Sequence, residues 1–106
     1  MTEQVPEALS QLQQLAQAQP ENVAAWATFG QAASKAGFPA LACEAWGRAL
    51  ALEPGNGNWC FALANQHYTL GNYVEALDRY LQVLNLLPES WEARNNLALL
   101  LKFLGE

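Results

Sequence analysis

The stretch of sequence that decides the fold is residues 71–88, GNYVEALDRYLQVLNLLP. Its residues Ala76, Tyr80 and Val83 recur at intervals of three to four positions, which is the spacing of one face of a helix. The glycine that opens the stretch can close a preceding helix in the left-handed conformation, and the proline at its end stops a helix. The stretch therefore predicts one helix, over residues 73–87.

The same pattern recurs along the chain at an interval of 34 residues. Prolines mark it most plainly, at Pro20, Pro54 and Pro88. Five further sets of residues share the interval: Ala8, Ala42 and Ala76; Leu12, Trp46 and Tyr80; Leu15, Ala49 and Val83; Phe29, Leu63 and Leu97; Gly37, Gly71 and Gly105. Six registers with one period indicate an internal structural repeat.

Each period predicts a pair of helices. In the first complete period, apolar residues recur at helical spacing over residues 22–36 and again over 39–52. Gly37 separates the two segments and can adopt the left-handed conformation that ends a helix, and the proline two residues later suits a first helical turn. The next period predicts helices over residues 58–70 and 73–87. Neither helix of a pair can bury its apolar face alone, so the pairs are expected to stack.

Composition disfavours two classes of partner. The chain has 106 residues, a net charge of −5 and only five lysines and arginines, so it offers no basic patch for a nucleic acid or an anionic membrane. No apolar run approaches the roughly 20 residues that span a bilayer. The N-terminus lacks a basic start and an apolar segment, and Cys43 and Cys60 form no C-x-x-C pair. We therefore expect a cytoplasmic protein with reduced cysteines.

The sequence holds no motif for catalysis or for a cofactor. His67 is the only histidine, so neither a metal site built on histidines nor a Cys-His nucleophile can be assembled in the usual way. Glycine motifs for phosphate or dinucleotide binding are absent, as is the nucleophile elbow. We expect no catalytic residue, no metal and no cofactor. Trp59 and Trp91 are predicted at the edge of the core, with ligand contact as the alternative.

The 34-residue pattern resembles the tetratricopeptide repeat, whose consensus reads W-x2-L-G-x2-Y, then A-x3-F and Pro. The motif is carried by Trp26-x2-Phe29-Gly30 and Ala42-x3-Trp46 in one period, and by "GNYVEAL" with Tyr80 in the next. The departures are Cys60 and Arg94 for the tryptophan, Ala33 and His67 for the tyrosine, and Ala64 and Ala98 for the glycine. The resemblance covers a single unit over residues 1–106, divided into a half repeat (6–19), two full repeats (23–56 and 57–90) and a half repeat (91–106). It implies an all-α, right-handed superhelical solenoid of antiparallel helix pairs, with about five helices.

The resemblance also implies a binding surface, because the first helix of each repeat in this family lines a concave groove that takes peptides. The positions expected to line it are Thr28, Gln31, Lys35, Asn58, Phe61, Asn65, Tyr68, Asn95, Asn96, Leu99, Lys102 and Phe103, flanked by Ala24, Ala27, Ala62, Thr69 and Glu92. Asparagine amides could hold a peptide backbone and the aromatic rings its apolar side chains. That these positions are merely solvated is the alternative.

Some members of the family grip a terminal carboxylate with a clamp of two lysines, two asparagines and one arginine. The corresponding positions here hold Ala27, Gln31, Ala62, Glu92 and Asn96. Because the basic residues of the clamp are missing, we expect a protein or peptide partner whose bound segment is neutral or mixed in charge.

The last predicted helix is apolar around most of its circumference, which predicts that something covers it. The residues expected to self-associate are Leu97, Leu100, Leu101 and Leu104. Either the chain is a piece of a longer array, or this helix pairs with a second copy in a symmetric dimer. The sequence thus favours a non-enzymatic protein-interaction module. The alternatives are a regulatory or substrate-recruiting segment of a larger enzyme, similar to repeats joined to glycosyltransferases, and a self-assembling scaffold.

Overall fold

The computed structural model describes residues 4–105, and within them the chain forms six α-helices and no strand. They are α1 (Glu7–Ala18), α2 (Val23–Ala36), α3 (Pro39–Leu52), α4 (Gly57–Thr69), α5 (Tyr73–Leu86) and α6 (Trp91–Gly105). The all-α prediction is confirmed. The expected count of about five helices is one too low, because each predicted half repeat contributes a complete helix. Glu106, where the last half repeat was predicted to end, lies outside the described residues.

The helices that begin each pair start at capping residues that follow the 34-residue period. Asn22, Asn56 and Ser90 stand immediately before α2, α4 and α6. In each case the side-chain oxygen accepts a hydrogen bond from the backbone N–H three residues further on, at 3.3, 3.1 and 3.2 Å. Such a cap satisfies one of the N–H groups that the first helical turn leaves without a partner. The repeat therefore sets where these helices begin.

The turns inside the two pairs also repeat. Gly37 and Gly71 both have φ of 81°, in the left-handed region that favours glycine. The residue after each glycine donates its backbone N–H to the carbonyl of the residue five positions earlier, from Phe38 to Ala33 at 3.0 Å and from Asn72 to His67 at 2.9 Å. This closure satisfies the last carbonyls of α2 and α4 and reverses the chain.

The six helices stack in chain order, each on the next, and packing is closest within the pairs α2–α3 and α4–α5. The result is a flat body of 40 × 36 × 17 Å with one core running along it. Small residues that are fully buried let the helices approach, among them Ala33, Ala42, Ala49, Ala64 and Ala76, while Trp26, Phe29 and Tyr80 fill the larger spaces.

The helix α2 approaches α3 closely at Gly30. A Cβ atom at this position would lie 2.8 Å from the ring of Trp46, so only glycine fits opposite an indole. One period later the same two positions hold Ala64 and Tyr80. A phenol ring is narrower than an indole, which is consistent with a larger residue at the facing position.

Two residues that differ in chemistry make the same hydrogen bond. The Trp26 indole Nε1 donates to the Pro20 carbonyl at 3.0 Å, and two periods later the Arg94 Nη2 donates to the Pro88 carbonyl at 2.8 Å. Both bonds tie the first helix of a repeat to the turn that precedes it. Arg94 therefore replaces the hydrogen bond of the consensus tryptophan, although its side chain is exposed and fills no core space.

Candidate functional site

A depression of about 330 Å³ lies between α4 and α6, where two first helices of neighbouring repeats stand side by side. Its lining residues are Asn65, Tyr68, Thr69, Tyr80, Asn96 and Leu99. The structure thus brings together four residues of the predicted groove, two from each helix. Thr69, one of the flanking positions, joins them.

The centre of the depression is polar and organised by hydrogen bonds. The Asn65 Oδ1 accepts from the Tyr80 hydroxyl and from the Asn96 Nδ2, the latter at 3.3 Å. Burial raises the pKa of Tyr80, against a smaller opposing effect of the hydrogen bond from Asn96, so the hydroxyl stays protonated at neutral pH and donates. Within residues 4–105 the Asn65 Nδ2 and the Asn96 Oδ1 have no hydrogen-bond partner, which leaves a donor and an acceptor for another molecule.

Aromatic rings continue the site on one side. Tyr68 meets the edge of Tyr73 at a centroid distance of 5.6 Å, and Tyr73 meets Phe103 at 5.0 Å. The predicted groove residues Tyr68 and Phe103 are therefore linked through a residue of α5. Phe61 is half-buried and packs on Tyr80 at 6.1 Å, so much of its ring belongs to the core.

Several predicted positions lie outside this depression. Those that are exposed and do not line it are Thr28, Gln31 and Lys35 on α2, Asn58 at the start of α4, and Asn95, Lys102 and Phe103 on α6. Of the four leucines predicted to self-associate, Leu100 is fully buried inside the chain and Leu97 is half-buried. Leu101 and Leu104 are exposed. Leu100 therefore has no surface to offer a second copy.

Tyr80 is the lining residue that sequence reasoning assigned only to helix packing. The signal that could have found it is its hydroxyl, because a buried tyrosine needs a hydrogen-bond partner and the ring is long enough to reach the far side of the helix pair. Trp59 packs on Trp46 at 6.3 Å, in agreement with a place at the edge of the core, whereas Trp91 is exposed.

Besides the depression, the structure brings together two chemically reactive side chains, Cys43 and His67. The Cys43 Sγ lies 4.0 Å from the His67 Nδ1, which is also 3.4 Å from the Asn72 Nδ2. Burial raises the pKa of the Cys43 thiol and lowers that of His67, so both groups are neutral near pH 7. A nucleophilic cysteine has the opposite shift, with a lowered thiol pKa beside a charged histidine.

In the part of the chain that the structure describes, no three metal-binding side chains cluster, and no helix is long and apolar enough to cross a membrane.

The free energy of unfolding is expected to fall as the pH drops from about 7 to 5, and His67→Gln should reduce that fall. Burial lowers the pKa of His67 below its ordinary value of 6.5, outweighing Glu75, which raises it. As the pH falls through the unfolded pKa of 6.5, the unfolded chain binds the proton more readily than the folded chain, so acid favours unfolding. Urea denaturation at several pH values would measure the effect. An unchanged pH profile in His67→Gln would contradict it.

The chain matches no protein-family model. It is 39% identical over 80 residues to the Photosystem I assembly protein Ycf3 of Synechococcus elongatus and to that of a second Synechococcus strain. The match covers 73% of this chain and 46% of each relative. The chain thus spans about half the length of the curated relatives it matches.

Solved structures match over more of the chain. A crystal structure of MamA superposes with a TM-score of 0.85 at 20% identity, over 93% of this chain and 58% of MamA. The first TPR of Spaghetti (RPAP3), solved with the HSP90 peptide SRMEEVD, gives 0.82 at 24% identity, over 94% of this chain and 79% of that one. The helices of residues 4–105 therefore form a right-handed superhelical solenoid with the tetratricopeptide-repeat fold, as the resemblance to that repeat implied.

Proposed function

We propose that the chain is a non-catalytic protein-interaction module that binds an extended segment of a partner protein across α4 and α6. The observation that carries the proposal is the pair Asn65 and Asn96, which presents a free amide donor and a free amide acceptor in one depression. Each residue of an extended peptide offers a carbonyl and an N–H, which these two groups complement whatever the peptide side chains are. The Tyr80 hydroxyl fixes Asn65 in advance, which reduces the entropy lost on binding.

The lining predicts the chemistry of the bound segment. All six lining residues are uncharged, and Tyr68 and Leu99 offer apolar surface beside the two amides. We therefore propose a neutral segment with an apolar side chain seated between them. The net charge of −5 and the two free cysteines favour a protein partner in the cytoplasm over a nucleic acid or a membrane.

The comparisons support an interaction role without identifying the partner. The RPAP3 domain was solved with a peptide from HSP90, and Ycf3 is named as an assembly protein. The HSP90 peptide, SRMEEVD, is rich in carboxylates. Residues Ala27, Ala62 and Glu92 bring no basic group to the positions where the family's carboxylate clamp would lie, so a peptide of that kind is not the one we propose here.

A selection from a random peptide library would test the proposal. Peptides that bind the chain are expected to lack net charge and to carry a central apolar residue, and Asn65→Ala combined with Asn96→Ala should raise their Kd by about tenfold. The matched control is Asn58→Ala combined with Asn95→Ala, which removes two exposed asparagines from the same helices outside the depression. Thermal unfolding would verify that both double variants remain folded. Equal losses in the two double variants, or none in the first, would refute the site.

A further inference from the structure

The helix α1 exposes a face that the corresponding helices bury. On α1 this face consists of Ala8, Leu12 and Leu15; Ala8 is exposed, Leu12 is half-buried and Leu15 is 48% exposed. The same positions on α3 and α5 are buried in every case, as Ala42, Trp46, Ala49, Ala76, Tyr80 and Val83. The two largest of them contact the first helix of their own pair, Trp46 beside Gly30 of α2 and Tyr80 through its hydrogen bond to Asn65 of α4. In residues 4–105, α1 has no such helix before it.

The helix α6 exposes the complementary face. Its residues Leu97, Ala98 and Leu101 correspond to positions that α2 and α4 turn toward their partners, Phe29, Gly30, Ala33, Leu63, Ala64 and His67. Five of these six counterparts are buried, and His67 is half-buried. On α6, by contrast, Ala98 is exposed and Leu101 is 51% exposed. The face is open because α6 has no second helix packed on it in the described chain.

We infer that α1 of one copy packs on α6 of a second copy, so that the two half repeats form a complete repeat between molecules. The two open faces are the same two faces that meet within α2–α3 and within α4–α5. The contact at Gly30 and Trp46 and the bond from the Cys60 Sγ to the Arg79 carbonyl show how closely these faces approach inside the chain. A second copy of the chain is therefore a partner whose surface is complementary to both open faces.

The sizes of the residues fit this arrangement. In the second helix of each pair, the large residue in the middle of the buried face is Trp46 in α3 and the smaller Tyr80 in α5. The residue that faces it from the first helix is Gly30 in α2 and the larger Ala64 in α4. At the proposed junction the central residue is Leu12, which is smaller again. Two other leucines fill the space that this smaller residue leaves. Leu15 occupies a position where the other repeats have alanine or valine, and Leu101 occupies one where they have alanine or histidine. The two larger side chains thus offset the smaller Leu12, and helix packing tolerates substitutions whose volume changes offset one another.

A polar pair also matches across the proposed junction. In α4–α5 the Cys60 Sγ lies 3.6 Å from the Gln82 Oε1. The residues at these two positions of the junction are Arg94 and Gln14. A guanidinium donates and an amide oxygen accepts, so the same contact would be made by a stronger donor. The junction therefore buries no unmatched polar group at this position.

The symmetry of this interface differs from that of a dimer. Each copy offers α1 at one end and α6 at the other, so association is head to tail and continues into an open chain of molecules. A symmetric pairing of two α6 helices, the arrangement expected from the sequence, would leave the face of α1 uncovered. The head-to-tail arrangement covers both faces with one interface.

Sedimentation equilibrium of the 106-residue chain would test the inference with three substitutions. Leu15→Glu changes a residue that is exposed in the single chain and places a charge on the open face of α1. Leu101→Glu does the same on the open face of α6. The wild-type protein is expected to grow with concentration beyond a dimer, and each variant alone should be a monomer, with its dissociation constant raised at least about tenfold. Leu52→Glu, an exposed leucine on the central helix α3, is the matched control and should assemble like the wild type.

A mixture of the two variants gives the decisive result. Leu15→Glu keeps an intact α6 face and Leu101→Glu keeps an intact α1 face, so an equimolar mixture should form one heterodimer and nothing larger. A wild-type monomer would overturn the inference, as would a mixture that stays monomeric. A dimer that survives Leu15→Glu would overturn it in favour of symmetric pairing through α6. Far-UV circular dichroism would verify that each variant is folded.

Discussion

Replacing Trp26 with alanine is expected to lower the free energy of unfolding by about 3–5 kcal/mol. The side chain is 2% exposed, packs on Phe29 at a centroid distance of 6.4 Å, and donates its indole N–H to the Pro20 carbonyl. Truncation would leave a large cavity between α2 and the turn before it, and would also remove that hydrogen bond. Urea denaturation followed by far-UV circular dichroism measures the change without relying on tryptophan fluorescence.

Two further variants would separate packing from hydrogen bonding at this position. Trp26→Phe keeps most of the apolar volume and removes the indole N–H, so its loss should be about half as large as that of Trp26→Ala. Arg94→Ala removes the equivalent hydrogen bond to Pro88 from an exposed side chain, and should cost less than about 1 kcal/mol. If Trp26→Ala cost as little as Arg94→Ala, the core would not depend on the tryptophan.

The fold could be predicted from the sequence because the features that end each helix follow the same period as the core residues. Asn22, Asn56 and Ser90 begin the first helices of successive repeats, and Gly37 and Gly71 end two of them. Caps and turns act on neighbouring residues, so their effect can be read locally. These local signals and the 34-residue period predict the helix pairs, and the resemblance to the tetratricopeptide repeat implies how the pairs are arranged.

The candidate site was less predictable, because a helical period identifies a face but does not determine how far a side chain reaches. The period places Asn65 and Asn96 on the first helices of neighbouring repeats, but it does not show that the hydroxyl of Tyr80 extends from the packing layer into the depression. Leu100 was assigned to self-association, although it is fully buried, for a related reason. Leucines occupy most of the circumference of α6, and only the packing of α5 against it shows that Leu100 is covered.

Substitution by alanine of Gly30 and of Gly47, two glycines inside helices, is expected to change stability in opposite directions. At Gly30 the new Cβ would lie 2.8 Å from the Trp46 ring, which is rigid, so the helices must separate and the free energy of unfolding should fall by about 2 kcal/mol. At Gly47 in α3 nothing lies within 4 Å of the added atom. Alanine there removes the conformational cost of a glycine inside a helix and should raise stability by up to about 1 kcal/mol.

The facing residue decides whether Gly30→Ala is harmful. Combining it with Trp46→Tyr produces the pair that Ala64 and Tyr80 form one period later, so the double variant should lose less stability than the two single changes added together. The interaction energy is expected to be about 1 kcal/mol, after allowing for the hydrogen bond that the Trp46 Nε1 donates to the Ser34 Oγ. Urea denaturation of the four proteins gives this value directly. Strict additivity would mean that the ring does not limit the residue at position 30, and that the approach of α2 to α3 has another cause.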